Sequence, residues 1–206
     1  EGKNSIIHDD INKAENVLVY GTTGSGKSVF LHVFIKGASM FNTIEDVRLV
    51  LFDSKRVEFN QYKNNKLLLC PIINNGNELF AKIKELINEC YKRKEAIGEN
   101  DFESYRKQNN HHFPYILLVI DEYADIANKE LNNVLLELMK DGFKYGIHII
   151  LSTQMISGWG ADIDFFKSFK TIICQENYDK KETRKLIGDY VELKGSGDSL
   201  VLRDGE

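Results

Sequence analysis

Residues 18–29 read LVYGTTGSGKSV, and the reading of this stretch decides the fold. Leu18, Val19 and Tyr20 close an apolar run that opens at Val17. A burst of glycines follows, then Lys27 and Ser28, then the helical pattern VFLHVFIKGASMF. Positions 21–28 match G-x-x-x-x-G-K-[ST] between a strand and a helix. Glycines in such a loop let successive backbone N–H groups turn inward, so the loop and the helix behind it form a nest for an anion. The expected nucleotide-binding residues are therefore Gly21, Thr22, Thr23, Gly24, Ser25, Gly26, Lys27, Ser28 and Val29. Lys27 is expected to reach the β- and γ-phosphates, and the Ser28 hydroxyl to ligate Mg²⁺.

A phosphate loop needs an acid on a nearby strand, and YILLVIDEYAD at 115–125 supplies two. Asp121 and Glu122 stand at the C-terminal end of an apolar run, where ligands gather in open parallel sheets. Asp121 is expected to hold Mg²⁺ through water, and Glu122 to polarise the attacking water. Glu directly after this Asp points to phosphate-loop proteins that hydrolyse ATP for mechanical work. A third polar strand end, Ser152-Thr153-Gln154 in IHIILSTQ, follows. Its expected place is between the phosphate-loop strand and the acidic strand, with Gln154 sensing the γ-phosphate through a hydrogen bond.

The rest of the chain agrees. Continuous apolar runs lie at 17–20, 47–52, 67–73, 115–120, 147–152 and 171–174; runs of this kind suit strands buried on both faces. Between them come helical stripes: Leu79, Ile83, Leu86, Ile87 and Cys90 on one helix, Leu131, Val134, Leu135, Leu138 and Met139 on another. Strand and helix in alternation predict a three-layer α/β sandwich with a mostly parallel sheet, in one domain over 1–206. Hydrophobic residues at 42% and charged residues at 28% exclude a disordered chain, and no apolar run is long enough to span a bilayer. The polar start EGKNSIIHDDINK is no signal peptide. Cys70, Cys90 and Cys174 are scattered and odd in number, so buried thiols in a reducing cytoplasm are expected. His111 and His112 lack cysteine or acidic ligand spacing and read as a polar loop. A net charge of −4 excludes a nucleic-acid binder basic over its whole surface; any DNA contact must be made through local loops.

GTTGSGKSV, LVLFDSKRVEF, NECYKRKEAI, VIDEYAD, GIHIILSTQ and GSGDSLVL stand in an order and spacing that resemble the motor domain of the FtsK/SpoIIIE family, over nearly the whole chain. That resemblance implies a RecA-like P-loop ATPase that uses ATP and Mg²⁺, assembles as a hexameric ring of identical subunits and pumps double-stranded DNA. The same superfamily includes conjugative coupling proteins and type VII secretion ATPases, so chromosome partition, conjugative transfer and, as the alternative, a secretion module acting on protein substrates stay open. DSKRVEF, which resembles the family motif D-P-K-x-V-E, favours the DNA-pumping branch. The resemblance also allows a membrane anchor in segments outside this cytoplasmic piece.

The departures are specific. Met155 stands where the family's TQRP pattern has arginine, Ser54 replaces proline, and the segment before TIICQE lacks a frequent arginine. A ring ATPase needs a cation from the neighbouring subunit at the γ-phosphate; the resemblance offers Arg93 in YKRKE and Arg184 in KKETRKLIG. For contact with DNA, MISGWGADIDFFKSFK offers Gly158 and Gly160 for mobility, with Trp159, Lys167 and Lys170 as contact residues, since phosphate contact by lysines is independent of sequence. Arg106 and Lys107 are a second set.

Overall fold

A computed structural model describes residues 14–109, 113–157, 162–177, 179–188 and 192–203. Trp159, Gly158, Gly160, His111 and His112 lie outside the described residues, as does the N-terminal stretch through residue 13. The apolar runs form strands β1 (Val17–Tyr20), β2 (Val47–Asp53), β3 (Tyr115–Asp121), β4 (Ile147–Thr153) and β5 (Thr171–Gln175). These five run parallel to one another, and a sixth strand, β6 (Ser199–Arg203), pairs antiparallel with β5. The sheet order is β2-β3-β4-β1-β5-β6. β4 therefore sits between β1 and β3, as the sensor reading requires.

The run at 67–73 is not a strand. It touches β2 through isolated bridges at Leu68 and Ile73, with hydrogen bonds to Leu49 on one side of Cys70-Pro71 and to Leu51 and Asp53 on the other. Pro71 has no N–H to give to a ladder, so the segment follows the β2 edge without joining the sheet.

Side chains of β1 alternate between two apolar layers. Leu18 and Tyr20 face a core completed by helices α2 (Gly76–Ile97), α4 (Lys129–Asp141), α5 (Ile163–Lys167) and α6 (Lys180–Ile187). Val17 and Val19 face Leu31 and Ile35 of α1 (Lys27–Phe41), with Phe59, Tyr62 and Leu67. Both expected stripes, Leu79 to Cys90 on α2 and Leu131 to Met139 on α4, are buried, each full Leu or Ile side chain contributing about 1.5–3 kcal/mol. The short helix α3 (Phe102–Gln108) follows α2. The layers are those of the expected sandwich. Cys90 and Cys174 are buried thiols; Cys70 is half-buried rather than buried.

Candidate nucleotide-binding site

Tyr20, the last residue of β1, lies level with Thr153 of β4 and Cys174 of β5. The glycine loop therefore leaves the sheet between two strand ends, and both hold it. The Gly21 N–H donates to the Thr153 carbonyl at 3.3 Å, and the Thr22 N–H and hydroxyl donate to the Glu176 carbonyl at 2.9 and 3.1 Å. Ser25 Oγ donates to Gln175 Oε1 at 3.2 Å. A strap from the chain's far end closes the back: Ser196 Oγ donates to the Gly24 carbonyl and the Gly197 N–H to the Ser25 carbonyl, both at 2.8 Å. Two glycines are demanded by geometry. A Cβ on Gly21 would lie 2.5 Å from Ser25 Oγ, and Gly26, at φ 115°, has the Gly197 backbone against it.

The start of α1 differs from that of every other described α-helix. Helices α2, α3, α4, α5 and α6 are each capped by an Asn or Asp side chain and carry an acid in the first turn; α1 has neither. Its leading N–H groups and the positive end of its dipole face the cleft unmet by any side chain. Lys27, the first residue of α1, is 5% exposed. Its ammonium donates to the carbonyls of Gly21 and Thr22 at 2.9 and 3.0 Å and lies 3.7 Å from Glu122 Oε1. Burial lowers its pKa, with Glu122 and then Asp121 opposing the shift.

Across the cleft, Asp121 ends β3 and is buried. Burial raises its pKa, a hydrogen bond from Ser152 resists the rise, and the neighbouring acids Glu122, Glu58 and Asp53 add to it. Ser152 Oγ donates to Asp121 Oδ1 at 2.5 Å and accepts the Glu122 N–H at 3.1 Å. One hydroxyl thus fixes both acids. Glu122 is held in the left-handed region, at φ 48°, a conformation uncommon outside glycine. Its Oε2 is buried with no hydrogen-bond partner. Gln154, just past β4, accepts the Thr23 hydroxyl at 2.9 Å. Thr23, Ser28, Val29, Asp121, Glu122 and Gln154 line one cleft of about 350 Å³, within the ~300–1,000 Å³ of small-molecule sites. Lys55 and Glu58 complete its wall.

The donor set fits a magnesium triphosphate. An uncapped helix start and a buried lysine suit an anion, while a buried carboxylate, a hydroxyl and an unpartnered acceptor suit a hydrated cation. Ser28 and Asp121 are the residues that could hold Mg²⁺.

The other expected residues fall elsewhere. Arg93 requires a correction: it is 1% exposed and cannot reach a neighbouring subunit. Its guanidinium pairs with Glu89 at 3.0 Å, donates to the Tyr145 carbonyl at 2.9 Å and lies over the rings of Phe102 and Phe113. Arg106 is also buried, over Tyr115 and 3.7 Å from Asp46, so it too is no DNA contact; Lys107 is exposed. Arg184 is exposed on α6 and does not line the chain's own cleft. Lys167 and Lys170 are exposed where the chain enters β5, at the end of the sheet opposite the cleft. Sequence reasoning gave no roles to Ser152 as the bridge between the acids, to the Ser196–Gly197 strap, or to Lys55. Their partners lie far off in the sequence, and only the fold brings them together.

These features define a P-loop NTPase of RecA-like architecture. The comparisons with known proteins narrow the class. The profile of the FtsK/SpoIIIE family matches residues 1–155, and the chain belongs to that family. DNA translocase FtsK of Staphylococcus epidermidis is 29% identical over 218 residues, covering 97% of this chain and 27% of that protein. The chain thus spans about a quarter of this curated relative. Among solved structures, EssC (ATPases 2 and 3) from Geobacillus thermodenitrificans superposes with a TM-score of 0.78 at 19% identity, over 94% of this chain and 38% of that one. The pCW3 conjugation coupling protein TcpA, solved as a monomer with ATPγS, gives 0.75 at 20%, over 97% and 62%. Likeness at these identities establishes the fold. No described helix is long and apolar enough to cross a membrane.

Proposed function

We propose that residues 1–206 form one motor unit that hydrolyses ATP to move double-stranded DNA, as a cytoplasmic ring of six identical subunits. The observation that carries the ATPase reading is the convergence of Lys27, Asp121, Glu122 and Gln154 at the ends of three adjacent strands around one cleft. Relatedness to DNA translocases over almost the whole chain supports DNA as the polymer. Ser28 and Asp121 would hold Mg²⁺, which would supply positive charge beside the phosphate oxygens. The P-loop backbone and Lys27 bind and orient the triphosphate. Glu122, a lining residue of the cleft whose Oε2 has no protein hydrogen-bond partner, accepts a hydrogen bond from the attacking water and so orients it. Gln154, tied to Thr23, links the filled loop to β4 and the segment after it.

An apolar stripe supports assembly. Val29, Val33 and Met40 lie on one face of α1, running from the cleft rim, and all are exposed; such a face marks an interaction surface. A second subunit against it brings a foreign cation to the cleft, with Arg184 the remaining candidate. Lys167, Lys170 and Trp159 are the proposed DNA contacts.

The test is ATP turnover with and without long double-stranded DNA at two salt concentrations, beside Lys27→Ala and Glu122→Gln. Stimulation by DNA that weakens with salt, no turnover in either variant, and retained ATP binding in Glu122→Gln are the expected results. Turnover indifferent to DNA but raised by a substrate polypeptide refutes the DNA reading in favour of a type VII secretion module. ATP binding without turnover in the unmodified protein refutes both in favour of a nucleotide-bound scaffold.

A further inference from the structure

The cleft wall facing the phosphate loop is a turn, residues 53–59, built to hold one shape. Asp53 Oδ2 accepts the Phe59 N–H at 2.9 Å, and the Arg56 N–H donates to the Asp53 carbonyl at 3.3 Å. Arg56 takes a left-handed conformation, φ 57°, and its guanidinium donates to Asn74 Oδ1 at 2.8 Å. Asp53 is in register with Asp121, so the turn leaves the sheet beside the acid pair. Lys55 projects from this fixed mount into the cleft wall.

The Lys55 side chain is the adjustable part. It is 54% exposed, and its ammonium lies 3.3 Å from Asp125 Oδ2, which also accepts the Ser54 hydroxyl at 3.4 Å. Asp125 belongs to the short 3₁₀ turn directly after Glu122. An ion pair as open to water as this one contributes little, so it holds Lys55 weakly. The rest of the cleft is short of positive charge. Glu58, Asp121 and Glu122 line it, against Lys27 and Lys55, and Lys27 is already engaged by Glu122 and two carbonyls. A terminal phosphate entering beside three acids therefore draws the one loosely held ammonium on the wall.

We propose that Lys55 is a second lysine for the terminal phosphate of the nucleotide, resting on Asp125 and passing to that phosphate when a triphosphate fills the cleft. The inference rests on the ATPase reading. It gives the chain's own nucleotide a cation that neither Arg93, on the buried face of α2, nor Arg184, outside the cleft, provides in cis. It also makes the cleft discriminate triphosphate from diphosphate without any neighbouring subunit.

The experiment measures binding of ATP, a non-hydrolysable ATP analogue and ADP by calorimetry, with Mg²⁺ and without DNA. The proteins are the unmodified chain, Lys55→Ala, Lys55→Arg and Asp125→Asn, each checked for an unchanged melting temperature. Losing a charge-assisted hydrogen bond is expected to weaken ATP and its analogue roughly ten- to a hundredfold in Lys55→Ala. ADP binding holds, Lys55→Arg restores most of the loss, and Asp125→Asn does not weaken ATP. Equal loss for ATP and ADP, or no loss for either, overturns the proposal. Weakening of ATP in Asp125→Asn overturns the hand-over. An unmodified chain that binds no triphosphate refutes the ATPase reading itself, and because DNA is left out, failure to pump DNA does not enter the comparison.

Discussion

Ser152→Ala tests whether one hydroxyl holds the two acids in place. Ser152 is fully buried; its Oγ donates to the Asp121 carboxylate and accepts the Glu122 N–H. Removing it leaves a buried carboxylate one donor short and an N–H without an acceptor. A hydrogen bond to a charged group contributes about 1.5–3 kcal/mol and a neutral one about 1 kcal/mol, so the substitution costs about 2–4 kcal/mol of stability. At about 2–4 °C per kcal/mol for a chain of this size, the melting midpoint falls by about 5–15 °C. The effect on turnover has a separate origin. A left-handed backbone costs about 1–3 kcal/mol at a residue other than glycine, and the Ser152 bond to the Glu122 N–H offsets part of it. Loss of about 1 kcal/mol of anchoring cuts the equilibrium constant that holds Glu122 in place about fivefold, and turnover at saturating ATP falls by up to that factor. ATP affinity holds, because neither Lys27 nor the loop backbone bonds to Ser152. Steady-state kinetics, nucleotide binding and thermal melting on one preparation make the comparison. Unchanged turnover in a variant that melts early, or lost affinity with turnover intact, would refute the reasoning.

Asp121→Asn is expected to abolish turnover yet raise stability at neutral pH. The folded pKa of Asp121 lies above its unfolded value because burial disfavours the charge; the native state therefore binds the proton more tightly, and stability falls as pH rises between the two values. Urea melts should show variant and parent alike below the unfolded carboxylate pKa, with the variant ahead at pH 7. Arg93→Ala should cost about 2–4 kcal/mol, since it strips a buried cation from Glu89, the Tyr145 carbonyl and two rings, discounted because Glu89 is partly exposed. Its turnover per folded molecule should match the parent; loss of turnover restored by mixing with a Glu122→Gln subunit would return Arg93 to a role between subunits. Gly21→Ala should abolish ATP binding, because its Cβ meets Ser25 Oγ at 2.5 Å and Gln175 Cβ at 3.0 Å; full affinity would show that the loop can shift to admit it.

How legible the fold was depended on how each segment is covered. Five strands are buried on nearly every residue, and such runs stand out. β6 is a half-covered edge strand, and SLVLR alone carries no comparable signal. The run at 67–73 misled because Leu67 and Ile73 are core residues while Pro71 keeps the segment out of the ladder. Arg93 was misread in an instructive way. YKRKE looks like a solvated helix face, yet position 93 follows Cys90 by three and precedes Ile97 by four, which continues the buried stripe of α2. The periodicity held the answer; the charge concealed it. Ser152 had no such signal, since its meaning arises only where β3 and β4 lie side by side.

Met155 shows why a departure from a family pattern has to be weighed in place. At the sequence level, methionine where an arginine is usual suggests a weakened ATPase. Yet the backbone at 155 is turned by its neighbour: Thr153 Oγ1 donates to the Met155 carbonyl at 2.7 Å and accepts its N–H at 3.3 Å. The Met155 side chain is 44% exposed and lines no part of the cleft. An arginine on that backbone would stand at an exposed position outside the cleft. Its absence therefore leaves the lining of the chain's own cleft intact, with Lys27 in the loop and Lys55 on the opposite wall, and any deficit would fall on contacts outside that cleft. The intact cleft and the altered outer residue thus make different demands on experiment. Nucleotide binding by the isolated chain should be ordinary, and only properties that require assembly should respond to Met155→Arg.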